Sequence, residues 1–213
     1  MVNYYSVQSP IENQIEIKKS RFITYLFPIK TEEEFNDHLA VIRKEHYKAN
    51  HHCQAFILGE NSMIQRMSDD GEPSGTAGVP MLEVLKQQEL TFLMAVVVRY
   101  FGGIKLGSGG LIRAYSQAVS EALKHATIVQ NINQTMVSLT LSYAQVDPFQ
   151  YYLNQTTDPA TLIDTQYTDQ VTFTLAVNSD QVAEVEKHLT ERFNGQLTWQ
   201  VTGEQQLDVP VSL

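Results

Sequence analysis

The chain has 213 residues, 43% of them apolar and 18% charged, and a formal net charge of −9. That length suits one large domain or two small ones with a buried core, and no run of about 18 apolar residues offers a membrane-crossing helix. One cysteine, Cys53, excludes an intrachain disulfide. Together with the lack of a basic-then-apolar pattern in residues 1–5, it leads us to expect a protein of the reducing cytoplasm.

Apolar and polar residues alternate on both sides of Lys18-Lys19-Ser20, which predicts two strands joined by a tight turn, with Pro28 near the end of the second. Thr31 followed three residues later by Glu34 forms a capping-box pattern, and Phe35, Leu39 and Ile42 recur at helical spacing, so a helix is expected over 32–47. Strands are expected over 53–58 and 63–67. Residues 68–80, SDDGEPSGTAGVP, hold three Gly and two Pro and read as a loop. Pro80 suits the first turn of a helix over 81–87. Residues 92–100 form a Val-rich apolar run, the pattern of a buried strand. FGGIKLGSGG follows, and then an amphipathic helix over 111–126. The composition changes near residue 130. Strand 136–142, helix 148–155, strands 161–166 and 170–177, helix 180–193 and strand 196–202 follow, a βαββαβ order of ferredoxin-like type. The expected division is 1–134, 135–204 and a loose or edge-packed tail over 205–213.

Charge separates the halves. Residues 1–134 hold 13 Lys+Arg against 14 Asp+Glu, whereas residues 135–213 hold 2 against 10. An acidic half repels phosphates, so any contact with a polyanion is expected from the N-terminal half.

Two segments there have the composition of a site. In FGGIKLGSGGLIRAY, a buried strand leads through Gly102, Gly103, Gly107, Gly109 and Gly110 into a helix whose first amides are unpaired. That arrangement binds anions, with Arg99, Lys105 and Arg113 adding charge. It matches neither the Walker pattern nor GxGxxG, and a tight turn with packing glycines is the plainer reading. In SDDGEPSGTAGVP, Ser74, Gly75 and Thr76 are candidate contact residues, and Ser74 or Thr76 would need a base and an orienting group to act as nucleophiles. Asp69, Asp70 and Glu72 have oxygens suited to Mg²⁺ or Ca²⁺, but their spacing is not that of a calcium loop and turn residues are often acidic. His51 and Cys53 fall on one strand face with His52 opposite. Two ligands are too few for structural zinc, and a lone strand cysteine reads as a buried hydrophobe. Lys18, Lys19 and Arg21 make a small basic patch. With no catalytic constellation and no cofactor motif, binding is expected over catalysis.

Ser20-Arg21-Phe22, HHCQAF, SDDGEPSGTAGVP and VVVRYFGGIKLGSGGLIRAY, in that order, resemble the IMPACT family in its bacterial, YigZ-like branch. The resemblance is strongest over residues 15–125. It implies an α+β protein. Its N-terminal domain would be of the βαβ type seen in ribosomal proteins and domain four of elongation factor G. Its C-terminal domain would be ferredoxin-like, like the last domain of that factor. Eukaryotic relatives sharing the N-terminal domain act in translational control, competing for an activator of the amino-acid-starvation kinase. They place an extra domain before it that this sequence does not show, so that interaction is not carried over. The expectation is a non-catalytic binding or regulatory protein connected with translation, contacting RNA, the ribosome or a protein partner, with neither membrane association nor DNA specificity. The alternative is an enzyme or binder acting on a phosphorylated small molecule or nucleotide at the glycine-rich loops.

Overall fold

The computed structural model describes residues 4–155 and 160–211. It divides into two compact units. One comprises residues up to Asn131 together with those from Asp208 onward, and the other spans Ile132–Leu207.

The first unit opens with β1 (Tyr4–Val7), β2 (Ile11–Ile17), β3 (Ser20–Pro28) and α1 (Glu32–Glu45). β4 (His51–Leu58), β5 (Ile64–Ser68), α2 (Gly78–Gln87), β6 (Leu93–Tyr100) and α3 (Ser108–Leu123) follow. An antiparallel sheet in the order β2-β3-β6-β4-β5 is the scaffold. Strand alternation sorts its residues between two cores. Met94, Val96 and Val98 pack with Phe35, Leu39 and Ile42 of α1. Leu93, Ala95 and Val97 pack with Met81 and Leu85 of α2 and with Leu111, Tyr115 and Ala118 of α3. The apolar run of β6 is therefore buried on both faces, which is why it shows no alternation in sequence.

The expected cap of α1 forms, since the Thr31 hydroxyl accepts from Glu34 N–H at 3.1 Å. The reciprocal arm lands one residue earlier than a capping box requires, with Glu34 Oε2 accepting from Lys30 N–H. Both later helices start three residues sooner than the apolar spacing predicts, at Gly78 and Ser108.

The second unit follows the order β7 (Ile128–Leu141), α4 (Val146–Gln155), β8 (Ala160–Tyr167), β9 (Val171–Asn178), α5 (Val182–Arg192) and β10 (Thr198–Pro210). Its strands lie as β10-β7-β9-β8, the ferredoxin-like arrangement. Val137, Leu139, Phe173 and Leu175 of the sheet pack on Phe149 of α4 and on Val185 and Leu189 of α5. β7 and β10 are longer than expected. The first four residues of β7 belong to the first unit and pair there with β1, Ile128 opposite Val7 through Asn131 opposite Tyr4. The segment from residue 205 onward, expected as a loose or edge-packed tail, continues β10 to Pro210. Among the described residues, no helix is long and apolar enough to cross a membrane.

Candidate functional site

At the C-terminal end of β6 and the N-terminal end of β4, alternation brings several polar side chains to the face that carries α2 and α3. Arg99 lies in register with His51, two residues beyond Val97 and Cys53 on that face. Ser20, at the start of β3, shares the face with Phe22. Arg21 falls on the opposite face, in register with Tyr100, and its guanidinium stacks over the Tyr100 ring at 4.4 Å.

Glu72 reaches this face from the first glycine-rich loop. Its carboxylate is almost wholly buried, and Oε1 accepts from Arg99 Nη1 at 2.5 Å and from the Tyr115 hydroxyl at 2.8 Å. Arg99 is 5% exposed and also approaches Ser20 Oγ at 3.5 Å, while its buried Nε has no hydrogen-bond partner among the described residues. A buried ion pair of this kind holds only because each partner satisfies the other. Burial pushes the Tyr115 phenol well above its ordinary value, so it stays protonated and donates. Burial likewise pushes the Cys53 thiol up to about 12, and its S–H lies 3.0 Å from the Asp69 carbonyl. Cys53 is thus a protonated core residue.

His51 is oriented by the same loop. Its Nδ1 lies 2.9 Å from the Asp70 carbonyl, which can only accept, so Nδ1 carries the proton. That leaves Nε2 directed to Glu72 Oε2, 3.8 Å away.

The two glycine-rich loops line one cleft of about 410 Å³. Glu72 and Pro73 come from the first loop, and Phe101, Lys105, Leu106, Gly107, Ser108 and Leu111 from the second loop and the start of α3. Asn50, His51 and Arg99 complete it. Gly102 holds the second loop down: a Cβ there would sit 1.9 Å from the Lys19 carbonyl, and its N–H donates to Ser20 Oγ at 3.2 Å. Gly107 caps α3 with φ of 73°, a left-handed conformation that glycine adopts without strain.

The other expected residues fall outside the cleft lining. Asp69 is the organiser of its loop: its carboxylate accepts from the N–H groups of Gly75, Ala77 and Gly78 at 2.8, 3.0 and 2.8 Å. Burial acts to raise its pKa, but those amides outweigh it and hold the carboxyl below 3.8. Asp70 pairs with Arg43 at 2.8 Å and accepts from His52 N–H. Thr76 turns its hydroxyl to the Pro73 carbonyl at 2.6 Å, and Gly75 lies in a separate shallow recess with Ile112 and Ser116. Ser74 is exposed, as are Gly103, Gly109 and Arg113 in the second loop and α3. Among the described residues, no group of three or more His, Cys, Asp or Glu side chains is placed to hold a metal ion.

Ser20, Asn50, His51, Phe101, Ser108 and Tyr115 are site residues beyond those expected from sequence. The period-two alternation of β3 and β4 carries the signal for Ser20 and His51, which share a face with Phe22 and Cys53. Tyr115 looks like one more apolar position in the α3 stripe. A second cleft, about 470 Å³, lies at the far end of α3, where the charged side chain is Lys124, already paired with Glu121.

The model of the Impact N-terminal domain matches residues 18–123, and that of a domain of unknown function, DUF1949, matches residues 139–196. The chain belongs to the IMPACT family. It is 42% identical over 193 residues to IMPACT family member YvyE of Bacillus subtilis, covering 91% of this chain and 88% of that one. It is 38% identical over 191 residues to IMPACT family member YigZ of Escherichia coli, covering 89% and 93%. A solved structure described as a hypothetical protein matches with a TM-score of 0.61 and 36% identity, over 95% of this chain and 98% of that one. The site described above lies within the residues matched by the Impact N-terminal domain.

Proposed function

We propose that this IMPACT family member is a non-catalytic binding protein connected with translation, and that it contacts RNA with the glycine-rich end of its N-terminal domain. The observation that carries this reading is an exposed aromatic ring that shares its loop and its cleft with Lys105, next to the turn bearing Lys18 and Lys19. Gly102 packs on the backbone of Lys19, so the turn bearing Lys18 and Lys19 abuts the second loop. Next to Gly102, Phe101 is 47% exposed, its N–H held by Asn50 Oδ1 at 2.8 Å. Lys105 stands on the same loop and lines the same cleft as Phe101. An exposed ring among lysines is the arrangement that stacks a base while its neighbours take phosphates. Glu72 does not oppose it, because Arg99 neutralises that carboxylate. The acidic second unit is unsuited to this role. The translational role of eukaryotic relatives that share this domain supports the same direction.

Binding of single-stranded RNA measured across salt concentrations tests the reading. Affinity is expected to fall with salt, and Lys19→Ala and Lys105→Ala are each expected to reduce the logarithmic salt slope by about 1. Absence of binding to RNA and to ribosomes at low salt overturns it.

A further inference from the structure

We infer that the cleft between the two glycine-rich loops reads a guanine base of single-stranded RNA. The base lies against Phe101, with its N1–H and its 2-amino group donating to His51 Nε2 and Glu72 Oε2. The choice of an RNA base rests on the RNA-contact reading above; the pair of acceptors stands on geometry of its own.

Glu72 is the first acceptor. Its side chain is 4% exposed and lines the cleft. Oε1 is taken by Arg99 and Tyr115, while no protein donor among the described residues is hydrogen-bonded to Oε2. A buried carboxylate oxygen without a donor is costly, and a donor entering the cleft relieves that cost. His51 is the second acceptor. Its Nδ1 gives its proton to the Asp70 carbonyl, so in the neutral ring Nε2 accepts. Gly71 folds closely over that ring: a Cβ there would lie 3.4 Å from Nδ1, so loop and ring hold each other in place. Nε2 and Oε2 stand 3.8 Å apart, beyond hydrogen-bonding distance, and present two acceptors side by side.

A ligand that answers them carries two neighbouring donors. Among the four RNA bases, only guanine has two adjacent N–H donors on its Watson–Crick edge, N1–H and the 2-amino group. Adenine and cytosine offer one amino group beside an acceptor, and uracil one N–H between two carbonyls. The next group along the guanine edge, the O6 carbonyl, is an acceptor. Asn50, which lines the cleft, accepts from Phe101 N–H with Oδ1 and keeps its amide N–H groups for such a carbonyl. A guanidinium also carries paired donors, but it is a cation. Arg99 and Lys105 already line the cleft, and Arg99 neutralises Glu72, so a neutral base is favoured over a further cation.

Phe101 sets a stacking surface beside the acceptors. Its ring is 47% exposed, and its centroid lies 5.7 Å from Cζ of Arg99, the group that holds Glu72. Pro73, Leu106 and Leu111 supply further apolar wall. At about 410 Å³ the cleft falls within the ~300–1,000 Å³ range of small-ligand sites, room enough for a purine. Stacking on an aromatic ring, combined with hydrogen bonds to the Watson–Crick edge, is how proteins read the bases of single-stranded RNA. The base has two sources, an RNA chain and a free guanine nucleotide.

The test measures binding of short oligouridylates carrying one central guanine, hypoxanthine, adenine or cytosine to the full chain and its His51→Ala variant, alongside guanosine monophosphate, adenosine monophosphate and argininamide. Guanine is expected to tighten binding about tenfold over adenine and cytosine. Hypoxanthine, which lacks only the 2-amino group, is expected to lose most of that gain on the unaltered protein, a comparison that no folding defect can mimic. His51→Ala is expected to bring guanine and adenine within about twofold of each other. A preference that hypoxanthine shares in full, or that survives His51→Ala, overturns the assignment to this pair of acceptors. Equal affinity for all four oligonucleotides overturns the inference and leaves the RNA reading standing. Guanosine monophosphate binding ahead of adenosine monophosphate, while no oligonucleotide binds, keeps the guanine site and removes the RNA reading. Argininamide binding ahead of guanosine monophosphate assigns the acceptors to a guanidinium of a protein partner and overturns the inference.

Discussion

The loops over residues 68–80 and 101–110 are both rich in glycine, yet they are built on opposite principles. The first is tied inward: Asp69 gathers three backbone amides, Asp70 holds Arg43 and the His52 amide, and Thr76 closes on Pro73. Among the described residues, the second is tied by two hydrogen bonds, Gly102 on Ser20 at the hairpin turn and Phe101 on Asn50, and by Leu106 against the core. Its lysine, its aromatic ring and the helix start that follows face outward. Similar composition thus supports a structural knot in one case and a binding surface in the other. What separates them is where the carboxylates are: an acid that satisfies a helix start removes it as an anion site.

This contrast can be broken or sharpened by substitution. The largest effect is expected where the first loop meets the sheet. Arg99→Ala strands the buried Glu72 carboxylate and is expected to cost about 3–5 kcal/mol in urea unfolding. Arg99→Met combined with Glu72→Gln should recover much of that loss, and failure to do so would mean that the ion pair is not what holds the loop. Asp69→Ala deprives three amides of a charged acceptor, with an expected cost of about 1.5–3 kcal/mol.

The Asp69 carboxyl also sets a pH signature. Its folded pKa lies below the unfolded 3.8, so its contribution is fully present above about pH 4 and is lost as pH falls through the folded value. Asp69→Asn should therefore flatten the acid limb of a stability–pH curve, and an unchanged limb would assign acid unfolding to other carboxylates. Gly102→Ala is the one second-loop change expected to behave like a first-loop change, at about 1–3 kcal/mol, because its Cβ meets backbone rather than solvent. Smallest is Lys105→Ala, expected to shift stability by no more than about 0.5 kcal/mol while weakening anion binding. If it destabilises as much as Asp69→Ala, the second loop is a structural knot too. Thiol labelling gives an independent check on the buried face: Cys53, with its thiol pushed up to about 12, should stay unlabelled at pH 8 until the protein unfolds.

Much of the fold was legible because local pattern and tertiary role agree. Alternation predicts β2 and β3, helical spacing predicts α1, and the ferredoxin-like order follows from the pattern of the second half. The extended reach of β7 was not legible. Asn131 and Gln134 precede the strand expected from residue 136, yet both are buried within β7 and find partners in Asp208 and in Asn178 and Gln205. Partners more than forty residues away leave no local signal.

For the site, the sequence alone determined which segments carry the glycines and the cations, and which half is too acidic to meet phosphate. Those properties belong to composition and spacing. Only the tertiary structure decided that both loops line one cleft, that Arg21 and Arg99 part to opposite faces, and that Asp69 closes one helix start while the other stays open. Each of these depends on strand register and on a carboxylate reaching eight or nine residues along the chain to a helix, distances over which residue type does not specify contact.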